Sequence, residues 1–111
     1  MKRVVITDGS GAWFDKDKAI EFDEDSWHDG RNFISRATGS QWEHQALYFT
    51  KSGVWILHNW SQYQGSRESY EEIGEYEAVR WLSNNRKWES LEELPEGVRL
   101  RIQDQIAGQE V

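Results

Sequence analysis

Cysteine is absent from the 111 residues. Disulfides, cysteine-ligated zinc and thiol catalysis are therefore excluded, and a reducing compartment fits. No stretch approaches the roughly 18 consecutive apolar residues of a membrane span. The apolar run near the N-terminus, Val4 to Ile6, is too short for the apolar region of a signal peptide. These readings lead us to expect a soluble, cytoplasmic protein. Proline occurs once, at Pro95, and histidine three times. No Gly-x-Ser-x-Gly elbow is present, which removes the common serine-hydrolase signature. Internal repeats, low-complexity tracts and linkers are also missing, so residues 1–111 read as a single domain.

Basic residues are outnumbered. Thirteen Lys and Arg face twenty Asp and Glu, a formal net charge of −7. Most of the excess lies in residues 61–111, with six basic and eleven acidic groups. Such a surface repels phosphate backbones and anionic lipids at long range. It argues against direct nucleic-acid or membrane binding. A basic protein surface, including one that normally holds DNA, suits it better.

Tryptophan is abundant: Trp13, Trp27, Trp42, Trp55, Trp60, Trp81 and Trp88. A large aromatic side chain buries about 150–250 Å². Seven of them can build much of a small core, so most are expected to be structural.

The chain order predicts an α+β fold: an antiparallel β-meander of four or five strands, with two helices in the C-terminal half. In residues 3–7 a short β-rich run precedes Asp8-Gly9-Ser10-Gly11, which is turn chemistry. Residues 19–23 alternate Ile20 and Phe22 against Ala19, Glu21 and Asp23. Together these runs suggest two short strands and an N-terminal hairpin. Residues 23–32 read as a polar loop closed by Asp29-Gly30, and residues 33–35 as a short strand or bridge. The strongest strands are "QALYFT" (45–50) and "VWILHNW" (54–60), rich in aromatic and β-branched residues. Lys51-Ser52-Gly53 turns between them, with Gly53 free to take positive φ. The second strand is apolar on both faces, so it is expected to be central or covered on both sides. With the simplest two-residue turn, Phe49 would face Ile56, Leu47 would face His58 and Gln45 would face Trp60. "ESYEEI" (68–73) is a third strand. Gly74 opens a helix whose Ala78, Val79, Trp81 and Leu82 form an apolar stripe, with Asn84-Asn85 as its stop. After Pro95, Val98, Ile102 and Ile106 recur at a spacing of four, and Gly108 ends that helix. Trp55, Leu57, Trp81, Leu82 and Ile102 are the expected core.

Four chemical motifs fall short. A metal or acid/base site from Glu43, His44 and His58 lacks a His-x-x-x-His spacing, and neighbouring residues on a strand point to opposite faces. A histidine beside tryptophan is more often a half-buried packing residue. The acidic stretch Asp23 to Gly30 invites a calcium-loop reading, but Trp27 stands where the fifth position needs an oxygen ligand and the glycine comes two residues late. It reads instead as a solvated turn that offers negative charge through Asp25 and Asp29. Gly9-Ser10-Gly11 lacks the longer glycine pattern and following helix of a phosphate loop, and Asp8 and Asp15 would repel phosphate. Ser40 and Ser66 are loop serines with no evident catalytic partner.

A recognition surface is the stronger reading. Gln41, Trp42 and His44 precede the hairpin, while Trp60, Gln62 and Tyr63 follow it. Both groups lie at the end away from the Lys51-Ser52-Gly53 turn and should meet in space. Aromatics mixed with amides and hydroxyls combine contact area with hydrogen bonding.

The pattern "GSQWEH" (39–44), "WSQYQGS" (60–66) and "EAVRWL" (77–82) resembles a group of small bacterial proteins of unassigned function, some from mobile or phage-like elements. The resemblance implies that the Trp42 and Trp60 segments form one module, and it brings no activity with it. It makes a phage-borne or mobile-element inhibitor of a host defence protein an alternative. The leading expectation is a non-enzymatic protein-binding module, a small acidic regulator or inhibitor without cofactor or metal. Its expected contact residues are Gln41, Trp42, His44, Trp60, Gln62 and Tyr63, supported by Asp25 and Asp29. The rivals are an acidic DNA mimic acting on a nuclease and a small metal-dependent or His–Glu enzyme.

Overall fold

The aromatic and β-branched residues between positions 43 and 61 build the two longest strands, and the rest of the chain covers their two faces. A computed structural model describes residues 1–111. In chain order the strands are β1 (Arg3–Val5), β2 (Trp13–Asp15), β3 (Ile20–Asp23), β4 (Ser26–His28), β5 (Phe33–Ser35), β6 (Glu43–Phe49), β7 (Trp55–Ser61) and β8 (Ser69–Ile73). The helices are α1 (Glu75–Asn84) and α2 (Glu96–Ala107), with 3₁₀ turns at Lys16–Lys18 and Glu89–Glu93. The main sheet runs β3-β6-β7-β8, antiparallel throughout, and β1-β2 and β4-β5 are separate hairpins. This is the expected α+β architecture. No helix is long and apolar enough to cross a membrane.

Strand alternation sorts the sheet into two apolar faces. Phe22, Leu47, Phe49 and Trp55 meet Ala78, Val79, Trp81 and Leu82 of α1 and Ile102 of α2. Ala46, Tyr48 and Ile56 meet Ile6 and Phe14 of the N-terminal hairpin on the other side. Burial on both faces explains why β7 carries no polar face in its first half. Trp55, Trp81, Leu82 and Ile102 are buried as expected, and Leu57 packs half-buried against the same core. The stop of α1 follows from two features. Asn85 is 1% exposed and donates to the Trp81 carbonyl, and Arg86 takes a left-handed φ of 56°. Lys87 N–H then bonds the Leu82 carbonyl and Arg86 N–H the Ser83 carbonyl, a Schellman ending.

Four expectations change. The β6-β7 register is one residue off: Phe49 faces Trp55, Leu47 faces Leu57 and Gln45 faces Asn59. Thr50 N–H bonds the Val54 carbonyl at 2.9 Å, and Thr50 Oγ1 accepts the Val54 N–H at 3.0 Å. The turn therefore holds three residues, with Gly53 at φ 87°. A one-residue slip matters because it would pair a core-facing residue with one from the opposite face. Second, residues 20–23 join the main sheet beside β6, and β1 pairs instead with β2. Third, Ser26–His28 is a strand paired with Phe33–Ser35, not a polar loop. Fourth, the tryptophans are not mostly buried. Trp55 and Trp81 are, whereas Trp13, Trp27, Trp42 and Trp88 are 43 to 52% exposed.

Candidate functional site

The β6-β7 ladder ends at Glu43 opposite Ser61, and one further bond, Gln62 N–H to the Trp42 carbonyl at 2.9 Å, carries the pairing past it. Trp42 and Tyr63 are thereby set side by side, with ring centroids 5.9 Å apart and planes at 41°. The flanking loops are held by short-range hydroxyl bonds. Ser40 Oγ accepts from Trp42 N–H and Glu43 N–H, and Ser61 Oγ accepts from Tyr63 N–H. Ser66 Oγ–H faces the Tyr63 and Ser61 carbonyls at 2.7 and 3.2 Å. Serine favours such local bonds, which satisfy loop backbone without a sheet partner. Both rings nonetheless stand in solvent, Tyr63 at 56% exposure.

Beside the pair lies a groove of about 500 Å³ on the helix side of the sheet, lined among others by Thr38, Glu43, Gln45, Asn59 and Arg67. Its floor is an ordered row of amides. Trp81 Nε1–H can only donate, and it donates to Gln45 Oε1 at 3.0 Å. Gln45 Nε2 must then face Asn59 Oδ1, at 2.7 Å, and Asn59 Nδ2 faces Ser69 Oγ at 3.2 Å. The direction of every amide thus follows from one indole. Glu43 and Arg67 make no ion pair with any other residue.

The opposite face of the same strands carries a stack of rings. His44 and His58 flank Trp60 at 5.6 and 4.6 Å, and His58 lies on Tyr70 at 4.1 Å with planes 5° apart. Each histidine meets one carboxylate. His44 Nδ1 lies 3.1 Å from Glu24 Oε2, and His58 Nε2 lies 2.9 Å from Glu68 Oε2. Glu24 also accepts the Gln45 N–H at 2.7 Å, which locks it under β6. His44 Nε2 is buried and has no hydrogen-bond partner. Burial pushes the Tyr70 hydroxyl above its ordinary range, and the Glu68 charge adds to the shift. No group of three His, Asp or Glu side chains is placed to hold a metal ion.

Comparison with protein-family models, with curated proteins and with solved structures finds no match.

The structure joins some of the expected contact residues and separates others. Trp42, Gln62 and Tyr63 meet at the open end of the hairpin, with Gln41 half-buried just before them. His44 and Trp60 also line the groove, but their rings stack on each other on the face opposite its amide floor. Asp25 and Asp29 serve other ends. Asp25 lies 3.0 Å from Arg36 Nε and forms an ion pair with it. One Asp29 oxygen accepts Asn32 N–H and Arg31 N–H, each at 2.8 Å, and these bonds hold its carboxyl below the usual carboxylate range. The carboxylate partner of His44 is Glu24 and not Glu43, which sits on the other face of β6. Glu24, Glu68 and the Gln45–Asn59 row carried no local signal. Their partners lie 20, 10 and 14 residues away in sequence.

Proposed function

We propose that this chain is a non-enzymatic protein-binding module whose contact face is the Trp42–Tyr63 pair together with the polar groove beside it. One observation carries the reading. The fold buries Trp55 and Trp81 completely enough to close a core, yet it braces Trp42 and Tyr63 in solvent on hydroxyl-bonded loops. Rigid aromatics beside unused amide and charged groups match the composition of binding hot spots, where large planar side chains contribute most of the energy. The net charge of −7 favours a partner with a basic surface and disfavours nucleic acid and membranes.

Two further observations support binding over catalysis. His44 Nε2 is enclosed, and His58 stacks against Trp60 and Tyr70 while its Nε2 meets Glu68. A general base needs a nitrogen within reach of substrate. The acidic-mimic reading draws less support, because Asp25 and Asp29 are engaged within their own hairpin segment. An inhibitor of a host defence protein, the role suggested by the mobile-element resemblance, is one form the module's role would take.

The test is affinity capture from bacterial lysate with wild type and with a Trp42→Ala, Tyr63→Ala double variant of matched urea midpoint. A partner retained by the wild type and lost by the variant supports the face. Capture that is unchanged by the variant but collapses between low and high salt would point to the charged surface instead.

A further inference from the structure

The first strand, β1, has one bonded edge and one open edge. Ile6 N–H donates to the Ala12 carbonyl and Lys16 N–H to the Lys2 carbonyl, so the even-numbered residues here turn their main chain toward β2. Alternation then turns the N–H and C=O of Arg3 and Val5 the other way, where neither has a hydrogen-bond partner. Thr7 continues the open edge and shows that it accepts a strand. Its N–H donates to the Tyr70 carbonyl at 2.8 Å, and its Oγ1 accepts the Tyr70 N–H at 2.7 Å. On the N-terminal side of Thr7 the edge is unpaired. There Arg3, Val4 and Val5 border a cavity of about 590 Å³ that His58, Glu68 and Tyr70 also line.

We propose that this edge takes an extended acidic segment of a partner protein, which adds a strand to β1. The site shares no residue with the groove beside Trp42 and Tyr63. Its main-chain groups select an extended chain. Arg3 and Val5 each present a donor and an acceptor, at the two-residue spacing that a strand repeats and a helix or a small ion does not. Its side chains select the sign. Lys2, Arg3 and Lys16 border the cavity, and none of the three side chains is ion-paired. The one acid there, Glu68, lies 2.9 Å from His58 Nε2. Cationic side chains on an open edge deter basic and apolar strands. A carboxylate opposite Lys2 or Arg3 turns that deterrent into a cross-strand pair of opposite charge. The chain as a whole carries −7, so the attraction is local to this edge.

A displayed library of random ten-residue peptides tests this on the intact chain. Enriched sequences are expected to be rich in Asp and Glu. Binding of an enriched peptide is expected to weaken at least about tenfold in a Lys2→Glu, Arg3→Glu double variant. Both side chains are exposed, and circular dichroism checks the fold. Val5→Pro is expected to weaken binding as much, because proline removes an outward N–H and leaves the bonds to β2 in place. The peptide itself supplies a measurement that no variant's folding affects. N-methylation at successive residues should block binding at every second position of the paired stretch and spare the positions between. No enrichment, or enrichment without acidic residues, overturns the proposal. So does an N-methyl scan without that alternation; binding that then falls only on charge reversal makes the edge a site for carboxylates alone. Binding that falls only in Trp42→Ala also overturns it and leaves the protein-binding reading standing.

Discussion

Replacing Glu24 with alanine exposes what one enclosed carboxylate contributes to the main sheet. Its Oε1 accepts the Gln45 N–H at 2.7 Å and its Oε2 lies 3.1 Å from His44 Nδ1. The Glu24 side chain is 12% exposed and that of His44 is 21% exposed. A hydrogen bond to a charged group contributes about 1.5–3 kcal/mol, and a buried donor left without an acceptor costs about 1–3 kcal/mol. Glu24→Ala leaves a main-chain N–H and a ring nitrogen without partners, so the expected loss is about 3 kcal/mol. Glu68→Ala is the control. It removes the same kind of contact, 2.9 Å from His58, but the Glu68 side chain is 61% exposed and water replaces it. Its expected loss is under about 1 kcal/mol. Urea unfolding at neutral pH measures both, and an unchanged denaturant slope shows that the native and unfolded states keep their compactness. In thermal melts the Glu24 variant is expected to fall by about 12 °C, at about 4 °C per kcal/mol for a domain of this size. Equal losses in the two variants, or a Glu24→Ala loss below about 1 kcal/mol, would refute the reasoning that enclosure sets the worth of these pairs.

Other outcomes follow from the same geometry. Asn85→Ala leaves the Asp25 N–H without its acceptor, now 3.0 Å away, and removes a cap on Trp81. A loss of about 2–3 kcal/mol in urea unfolding is expected; a loss within about 0.5 kcal/mol, the range of ordinary surface changes, contradicts it. Arg86→Gly should stabilise by up to about 1 kcal/mol, since only glycine adopts a φ of 56° without cost; destabilisation would show that the Arg86 side chain matters more than its backbone. Acid should weaken the fold. The carboxyls of Asp8, Asp15, Asp29 and Glu75 are all held below their ordinary values of 3.8 and 4.5. For Asp15 the chief cause is the Lys2 N–H, and for Glu75 it is the Arg101 guanidinium. Folded values below unfolded ones contribute stability that is present above the unfolded values and lost as pH falls through the folded ones. Stability measured across acid pH should therefore decline below those ordinary values, and less steeply in Glu75→Gln; identical profiles would show that the Arg101 contact adds nothing.

Legibility in the sequence tracks how local each cause is. The Lys51-Ser52-Gly53 turn, the apolar stripe of α1 and the four-residue spacing in α2 are set by neighbours within a turn or two, and all three stand as read. So does the meeting of Trp42 with Tyr63, because strand pairing brings its two flanks together whatever the register. The register itself was not legible. It depends on Thr50 closing on Val54 through both main chain and hydroxyl, which adds a residue to the turn. The β4 strand was hidden because three residues, Ser26 to His28, are too few to show alternation, and the acidic residues before them suggested a solvated loop. Exposure of four tryptophans is not legible for a related reason: burial depends on which hairpin covers which face. Glu24 belongs to the same class. It reads as one of several acids, and only the tertiary pairing of β3 with β6 brings it under His44.

The proposed contact face sets Trp42, among four exposed tryptophans, against the partner. Labelling the chain with 5-fluorotryptophan gives one ¹⁹F resonance for each of the seven indoles, assigned by single Trp→Phe variants. Titration with the captured partner should shift or broaden the Trp42 signal and leave Trp13, Trp27 and Trp88 in place. A response confined to Trp13, Trp27 or Trp88, with Trp42 unmoved, would contradict the account and place the contact on another part of the surface.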